Sequence, residues 1–488
     1  MKDLKLRNNF FHNVRSSAVQ FIVNQGSGLL LFFLLSRTLL KSEFGELNWT
    51  LALYLTIFSI LPFGLDQVTV QKIASGKQGK DLPALYLLHV AFTGILLYGL
   101  IGLLYLQFPA FFSRHFLLLL LGGGKLLLFL STPFKQIMAG KERFNLLAGM
   151  SIVSNLAKII LVGALSLYGD LQIRQVAFIF IASDALELLA SVIIYKYFIK
   201  PGSGTAVTFR AYKSLLKECL PQAGVAVFSS ALARLDWILI GIFLTMSRLG
   251  EYSFAYKVFE MSTLPLLVIA PLLVPLFSRY QSQGNLPAMQ AKINLLLRSE
   301  FMIACLTALL LNVLWIPVID ALTQGQYGRS NSQTVFLLSL CIPLLYLNNF
   351  LWSLHFAAGK QRMILRIFLY TFILNLVLDW VFIPWLQNSG AALAFTLSIL
   401  FQTVCYSLPL KKQILPGWYS LLLCSISSLI AGWVAISLFS SAWSSLLVSV
   451  SLYTLLLAGT KQLRFREWRN TIAGLAFRKQ PVGEGGRI

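Results

Sequence analysis

Hydrophobic runs of about 20 residues recur along the whole chain, from residues 17–35 to 446–457, with most Lys and Arg in the short connectors between them. A helix of that length crosses the hydrocarbon core of a bilayer, and no stretch between the runs is long enough for a soluble domain of useful size. The residues are 57% hydrophobic and 12% charged with a mean hydropathy of +0.74, against roughly 25% charged in an ordinary soluble domain. Lipid is therefore the expected solvent, and the expected fold is an all-α polytopic membrane protein.

Fourteen spans are expected, at about 14–36, 47–66, 83–107, 113–134, 145–168, 175–198, 221–245, 252–278, 296–319, 333–356, 364–386, 390–409, 418–438 and 441–459. An even count puts both termini on one side. Allocating Lys and Arg alternately gives thirty to the side of the termini and six (Arg37, Lys41, Arg114, Arg174, Arg248, Arg329) to the other. The positive-inside rule then makes the termini cytoplasmic, and adding or deleting one span scrambles the bias. Four cations remain inside spans: Lys125, Lys158, Arg234 and Lys257.

The net charge of +22 does not point to nucleic acid, because the charges are scattered over many connectors while phosphate binding needs a contiguous patch. Cys219, Cys305, Cys341, Cys405 and Cys424 stand singly in or beside apolar stretches, with no CxxC pair and no His cluster, so no metal or other cofactor is expected. They read as small core hydrophobes. Basic residues precede the first apolar run, but that run is long and no small-residue cleavage site follows it, so it is expected to stay as the first span.

The chain also echoes itself. Ala139-Gly140-Lys141-Glu142-Arg143 recurs as Ala358-Gly359-Lys360-Gln361-Arg362, with Asn155-Leu156 and Asn375-Leu376 following at similar distances. Gly45-Glu46 and Trp49 pair with Gly250-Glu251 and Phe254. Both offsets are near six spans, which predicts a parallel repeat with the transport path between two six-helix lobes. The expected division is an N-lobe at 1–198, a cytoplasmic linker at 199–220 containing Pro201-Gly202-Ser203-Gly204, a C-lobe at 221–410, two added spans at 411–460 and a basic cytoplasmic tail at 461–488.

Ser36-Arg37-Thr38-Leu39, Glu43-Phe44-Gly45 and Gly64-Leu65 resemble the start of polysaccharide transporters of the Wzx-type O-antigen flippase family. Asp236-Trp237-Ile238-Leu239-Ile240-Gly241, Leu249-Gly250-Glu251-Tyr252 and Pro275-Leu276-Phe277-Ser278-Arg279 resemble its second half. The similarity covers nearly the whole chain. Membership in the multidrug/oligosaccharidyl-lipid/polysaccharide (MOP) exporter superfamily, which the resemblance implies, brings two six-helix lobes in a V shape and alternating access. The implied cargo is an oligosaccharide repeat unit of O-antigen, capsule or exopolysaccharide on undecaprenyl pyrophosphate, and the implied partners are that substrate, membrane lipid, and glycan polymerase and ligase machinery. A lipid II flippase or a MATE-like exporter would share much of this layout.

A charge at mid-membrane costs at least about 2.5–3.5 kcal/mol, so such residues face a partner or a wet cavity. Lys125, Lys158, Arg234 and Lys257 are candidates to hold a lipid pyrophosphate, joined by Arg37 at the outer end of span one. The structural alternative is pairing with Asp184, Glu187, Asp236 or Glu260; Lys257 and Glu260, three apart, share a helix face, whereas Arg234 and Asp236 do not. Asp66, Asp184, Glu187, Asp236 and Asp379 are candidates to couple transport to H+ or Na+, with Asp236 foremost and Asp66 and Asp379 also fitting interfacial anchors. His89 and His355 are further protonatable groups that read more simply as hydrogen-bonded. Pro265, Pro271 and Pro275 in span eight and Gly122-Gly123-Gly124 in span four are expected weak points for lobe rocking, or packing kinks. A glycan polymerase or glycosyltransferase would need catalytic acids or histidines near the membrane surface, and no expected outer connector concentrates them.

Overall fold

A computed structural model of the protein describes residues 24–76, 81–169, 171–198, 208–266, 273–274, 277, 286–410, 417–439 and 441–463. The first ten residues of span one, the Pro-Gly-Ser-Gly stretch of the linker, Pro271, Pro275 and residues 464–488 of the tail lie outside them. Among the described residues every regular element is helical, as lipid requires of a chain that must satisfy its own backbone.

The helices are α1 (24–38), α2 (Lys41–Ile60), α3 (Leu65–Ala74), α4 (Leu82–Gln107), α5 (Pro109–Arg114), α6 (Leu117–Gly140), α7 (Phe144–Tyr168), α8 (Ile173–Phe198), α9 (Phe209–Phe243), α10 (Met246–Ser262), α11 (Leu286–Thr323), α12 (Ser332–Ala357), α13 (Gln361–Leu386), α14 (Asn388–Ser407), α15 (Trp418–Leu438) and α16 (Ala442–Gly459). Ten of these are long and apolar enough to cross a membrane, or eleven if the bent pair α2 and α3 counts as one span, among the described residues. Each of the fourteen expected spans overlaps a helix in order. Large apolar side chains such as Leu167, Trp385, Trp433 and Trp443 remain exposed on them, a surface that only lipid can cover.

Two differences from the expected spans matter for the site. The second span breaks where Pro62, Phe63 (φ 53°) and Gly64 (φ 78°) turn the chain, and α3 continues at 52° to α2. Asp66 thus lies half-buried in the first turn of α3, just past the break. Gly122, Gly123 and Gly124 do not interrupt α6. A Cβ on Gly122 would run into Tyr54 and one on Gly124 would sit 3.2 Å from the Ile181 backbone, so the run buys close approach to α2 and α8 rather than a hinge.

The residues divide into two compact units. Unit 1 comprises residues up to Phe254 together with Asn375–Ala391, and unit 2 comprises Ala255–Leu374 and Ala392 onward. Within unit 1, α6 is the central helix, packed against α2, α3, α4, α7 and α8. Within unit 2, α11 has that place, packed against α12, α15 and α16. The two added helices dock on it through hydroxyl-to-backbone bonds: Ser428 Oγ donates to Cys305 O (3.0 Å) and Tyr453 Oη to Met302 O (3.0 Å).

Both repeated Ala-Gly-Lys-x-Arg connectors close their helices with the same kind of cap. Arg143 N–H reaches Met138 O and Lys360 N–H reaches His355 O, each at 3.0 Å. The left-handed residue is Glu142 in one and Gly359 in the other, so the two turns share a motif with a two-residue shift against the sequence echo. The other echo meets in space inside unit 1: a Cβ on Gly45 would strike the Met246 carbonyl, and one on Gly250 the Lys41 carbonyl, so α2 and α10 cross backbone to backbone.

Candidate functional site

Five charges of unit 1 gather on three helices, α6, α7 and α8. α8 carries Asp184, fully buried, and both of its oxygens are taken: Lys125 Nζ of α6 lies 3.2 Å from Oδ2 and Lys158 Nζ of α7 lies 2.5 Å from Oδ1. Ser154, one turn before Lys158, accepts from the Lys158 ammonium at 3.0 Å and donates to Asp184 Oδ1 at 3.4 Å. The Phe180 ring lies 5.7 Å from the Lys125 ammonium and 5.1 Å from that of Lys158. One turn along α8, Glu187 meets Lys135 Nζ at 2.7 Å. Gly124 makes the cluster possible, since its Cβ would come 3.3 Å from Asp184 Oδ2.

Lys135 corrects the sequence reading, which assigns it to the connector after span four. It lies inside α6, and its partner Glu187 identifies it as an intramembrane cation. Three lysines thus face two carboxylates, leaving one surplus positive charge in a buried site.

The remaining predicted cations stand elsewhere. The Arg234 guanidinium lies over the Trp237 ring at 4.6 Å and donates to Ala233 O. Lys257 pairs with Glu260 at 2.8 Å along α10, the structural alternative foreseen for it. Arg37 is exposed at the end of α1. Arg234 falls in unit 1 and Lys257 in unit 2.

The five predicted carboxylates separate by their partners. Asp184 and Glu187 are held by lysines, and Asp66 accepts from Tyr86 Oη. Asp236, buried in α9, accepts from Tyr252 Oη at 2.5 Å and from the Trp237 N–H at 2.9 Å. Asp379, fully buried in α13, accepts from Asn375 Nδ2, one turn earlier, with its other oxygen unbonded among the described residues. The Asp236 and Asp379 carboxylates lie within electrostatic reach of each other in unit 1. His89 is hydrogen-bonded at both nitrogens, to Tyr212 Oη and Leu61 O at 2.8 Å each, and His355 Nε2 donates to Tyr406 O at 2.8 Å.

The family-like motifs form a second ionic knot. Glu251 of α10 accepts from Lys41 Nζ at 3.1 Å and from Arg248 Nη1 at 3.2 Å, beside the Gly45 and Gly250 crossing. Sequence reasoning treats Lys41 and Arg248 only as outer-side charges; the echoed glycines were the signal that their helices touch.

Unit 2 offers apolar grooves instead. One of about 580 Å³ is lined by Leu344, Leu400, Val404 and Leu422, and one of about 560 Å³ by Ala308, Phe336, Leu429 and Trp433. Phe301, Leu344 and Ser425 border both, so the two are contiguous along α11, α12 and α15.

A profile of the family described as polysaccharide biosynthesis protein matches residues 10–281. No curated protein sequence matches the chain. Among solved structures, the chain is similar to the lipid II flippase MurJ in an inward closed conformation, with a TM-score of 0.72 at 15% identity over 93% of this chain and 99% of that one. It is similar also to an inward-facing MATE family multidrug transporter of the MOP superfamily (TM-score 0.61, 12% identity, 87% and 100% covered). A MOP superfamily transporter from Pyrococcus furiosus, noted for the reverse polarity of its binding pocket, follows at a TM-score of 0.56 (12% identity, 86% and 95% covered). At these identities the likeness is one of fold.

Proposed function

The chain belongs to the polysaccharide biosynthesis protein family, and on that premise we propose that this multi-pass membrane transporter flips an undecaprenyl-pyrophosphate-linked oligosaccharide from the cytoplasmic to the outer leaflet of a bacterial inner membrane. The observation that carries the reading is the surplus positive charge of the Lys125, Lys135, Lys158, Asp184 and Glu187 cluster. A cationic drug, the cargo of the runner-up MATE-like reading, would favour a surplus of carboxylates. A pyrophosphate favours this one: when the Asp184 carboxylate leans to one lysine, the other ammonium is released to the headgroup. Arg234 and Arg37 are further candidate contacts. The contiguous grooves of unit 2 suit a polyprenyl chain, being apolar and open to lipid.

Asp236 and Asp379 are the carboxylates we assign to ion coupling, because they lie within electrostatic reach of each other and Asp379 keeps one oxygen unbonded among the described residues. Two acids within mutual reach bind a proton or Na+ more readily than either alone. Cytoplasmic termini and hand-over of the flipped unit to a polymerase and ligase complete the reading.

Replacing Lys125 and Arg234 together by Ala is expected to stop delivery of glycan to the cell surface with the protein at its normal level in the membrane. Normal delivery by the double variant overturns the assignment. The lipid-linked species that accumulates in a deletion strain identifies the cargo: an O-antigen, capsule or exopolysaccharide unit supports the reading, and lipid II places the chain with the peptidoglycan flippases.

A further inference from the structure

We propose that Glu300 is the anionic ligand of a second monovalent-cation site, in unit 2, separate from the Asp236 and Asp379 pair of unit 1, and that it exchanges H+ or Na+. Glu300 lies on α11 within the apolar stretch Asn294–Thr323 and is 3% exposed. Among the described residues neither of its carboxylate oxygens has a hydrogen-bond partner. Arg298, two positions earlier, points to another face of the helix and lines a separate cavity.

Among the described residues, the helices with the most extensive packing on α11 bring no countercharge. α12, α15 and α16 contain no Lys or Arg at all. Their titratable groups are otherwise occupied or neutral: His355 is bonded to Tyr406 O, Tyr453 Oη to Met302 O, and Cys341 and Cys424 are buried thiols. An ionised carboxylate buried without a partner costs several kcal/mol, so the group calls for a small cation.

What faces it is suited to one. Tyr346 of α12 is fully buried, lies within electrostatic reach of Glu300, and has an unbonded hydroxyl among the described residues. Hard oxygen donors of this kind take H+ or an alkali cation and give nothing to a soft metal.

The site is tested without cargo, so its failure is distinct from failure of the flippase reading. Purified full-length protein is titrated in weak buffer between about pH 5 and 9, and its thermal midpoint is followed in NaCl against choline chloride at equal ionic strength. In the proton case Glu300→Gln takes up about one proton fewer per chain. In the sodium case it loses a NaCl-specific rise in midpoint that wild type shows. Asp379→Asn serves as the control, and its change must add to that of Glu300→Gln if the sites are separate. Should Glu300→Gln fail to fold, Tyr346→Phe keeps the carboxyl and is expected to shift the half-point of the proton or Na+ response severalfold in concentration. A wild-type proton count together with a wild-type sodium response, in whichever variant folds, overturns the proposal.

Discussion

In unit 1, three lysines and two carboxylates from α6, α7 and α8 close on one another, whereas the buried polar groups of unit 2 are mostly amides and hydroxyls. There Asn348 Nδ2 donates to Gln402 Oε1 (3.1 Å) and Ile399 O (3.2 Å), Asn312 Nδ2 to Ser339 Oγ (2.7 Å), and Thr396 stands 3.1 Å from the Cys341 thiol. Glu300 is the buried acid of that unit left without a partner among the described residues. The difference lies in how membrane polarity is made tolerable. In this cluster unit 1 neutralises charge by charge and keeps one positive charge over, which suits a large anion. Unit 2, besides the partly exposed Lys257 and Glu260 pair, holds one buried acid without a partner among the described residues and offers apolar grooves, which suits a lipid tail and a small cation.

The strongest way to break this contrast is to remove the hub of unit 1. Asp184→Ala leaves two ammonium groups buried with no counterion and is expected to cost about 3–5 kcal/mol, read as loss of folded protein in the membrane and a large fall in thermal midpoint. Replacing the whole triad by apolar residues (Lys125→Met, Lys158→Met, Asp184→Leu) is expected to restore most of that stability, since buried ion pairs exchange for apolar packing at little net cost. Delivery of glycan should stay lost. A triad variant that is both stable and active would show that the cluster is only structural.

The matching change in unit 2 is milder. Asn348→Leu leaves the Gln402 side chain and the Ile399 carbonyl without their donor, a cost of about 1–3 kcal/mol, and Asn348→Leu with Gln402→Leu should recover part of it. Thermal midpoints of the purified variants decide. A loss as large as that of Asp184→Ala would erase the distinction between the units.

Much of this was legible in the sequence because span length and charge asymmetry are local properties, readable without knowing which helices touch. The pairing of Lys125 and Lys158 with Asp184 was legible only as a choice of partners, since which face of α8 meets α6 depends on Gly124, whose role is spatial. Lys135 was misassigned because hydropathy ends span four near 134, while the helix runs to Gly140 and Glu187 keeps the lysine inside. Asp66 looked like a span end because apolar character stops at the α2 and α3 break, where the backbone turns and continues. Glu300 was not singled out in the sequence; its two-residue spacing from Arg298, which separates helix faces, was the signal for it.

The smallest expected effect separates architecture from cargo binding most cleanly. Lys257 and Glu260 are partly exposed, with side chains 22% and 41% accessible, and they pair along one helix. Such i,i+3 pairs contribute a few tenths of a kcal/mol and at most about 1, so Lys257→Met should leave the protein level and thermal midpoint almost unchanged. Stability is then no explanation for any fall in delivery. If the ammonium meets the pyrophosphate, delivery in a strain carrying Lys257→Met falls severalfold at wild-type abundance, and Lys257→Arg, which retains the charge, recovers part of it. Delivery at the wild-type rate would remove Lys257 from the cargo-binding set and leave that role to the surplus charge of unit 1.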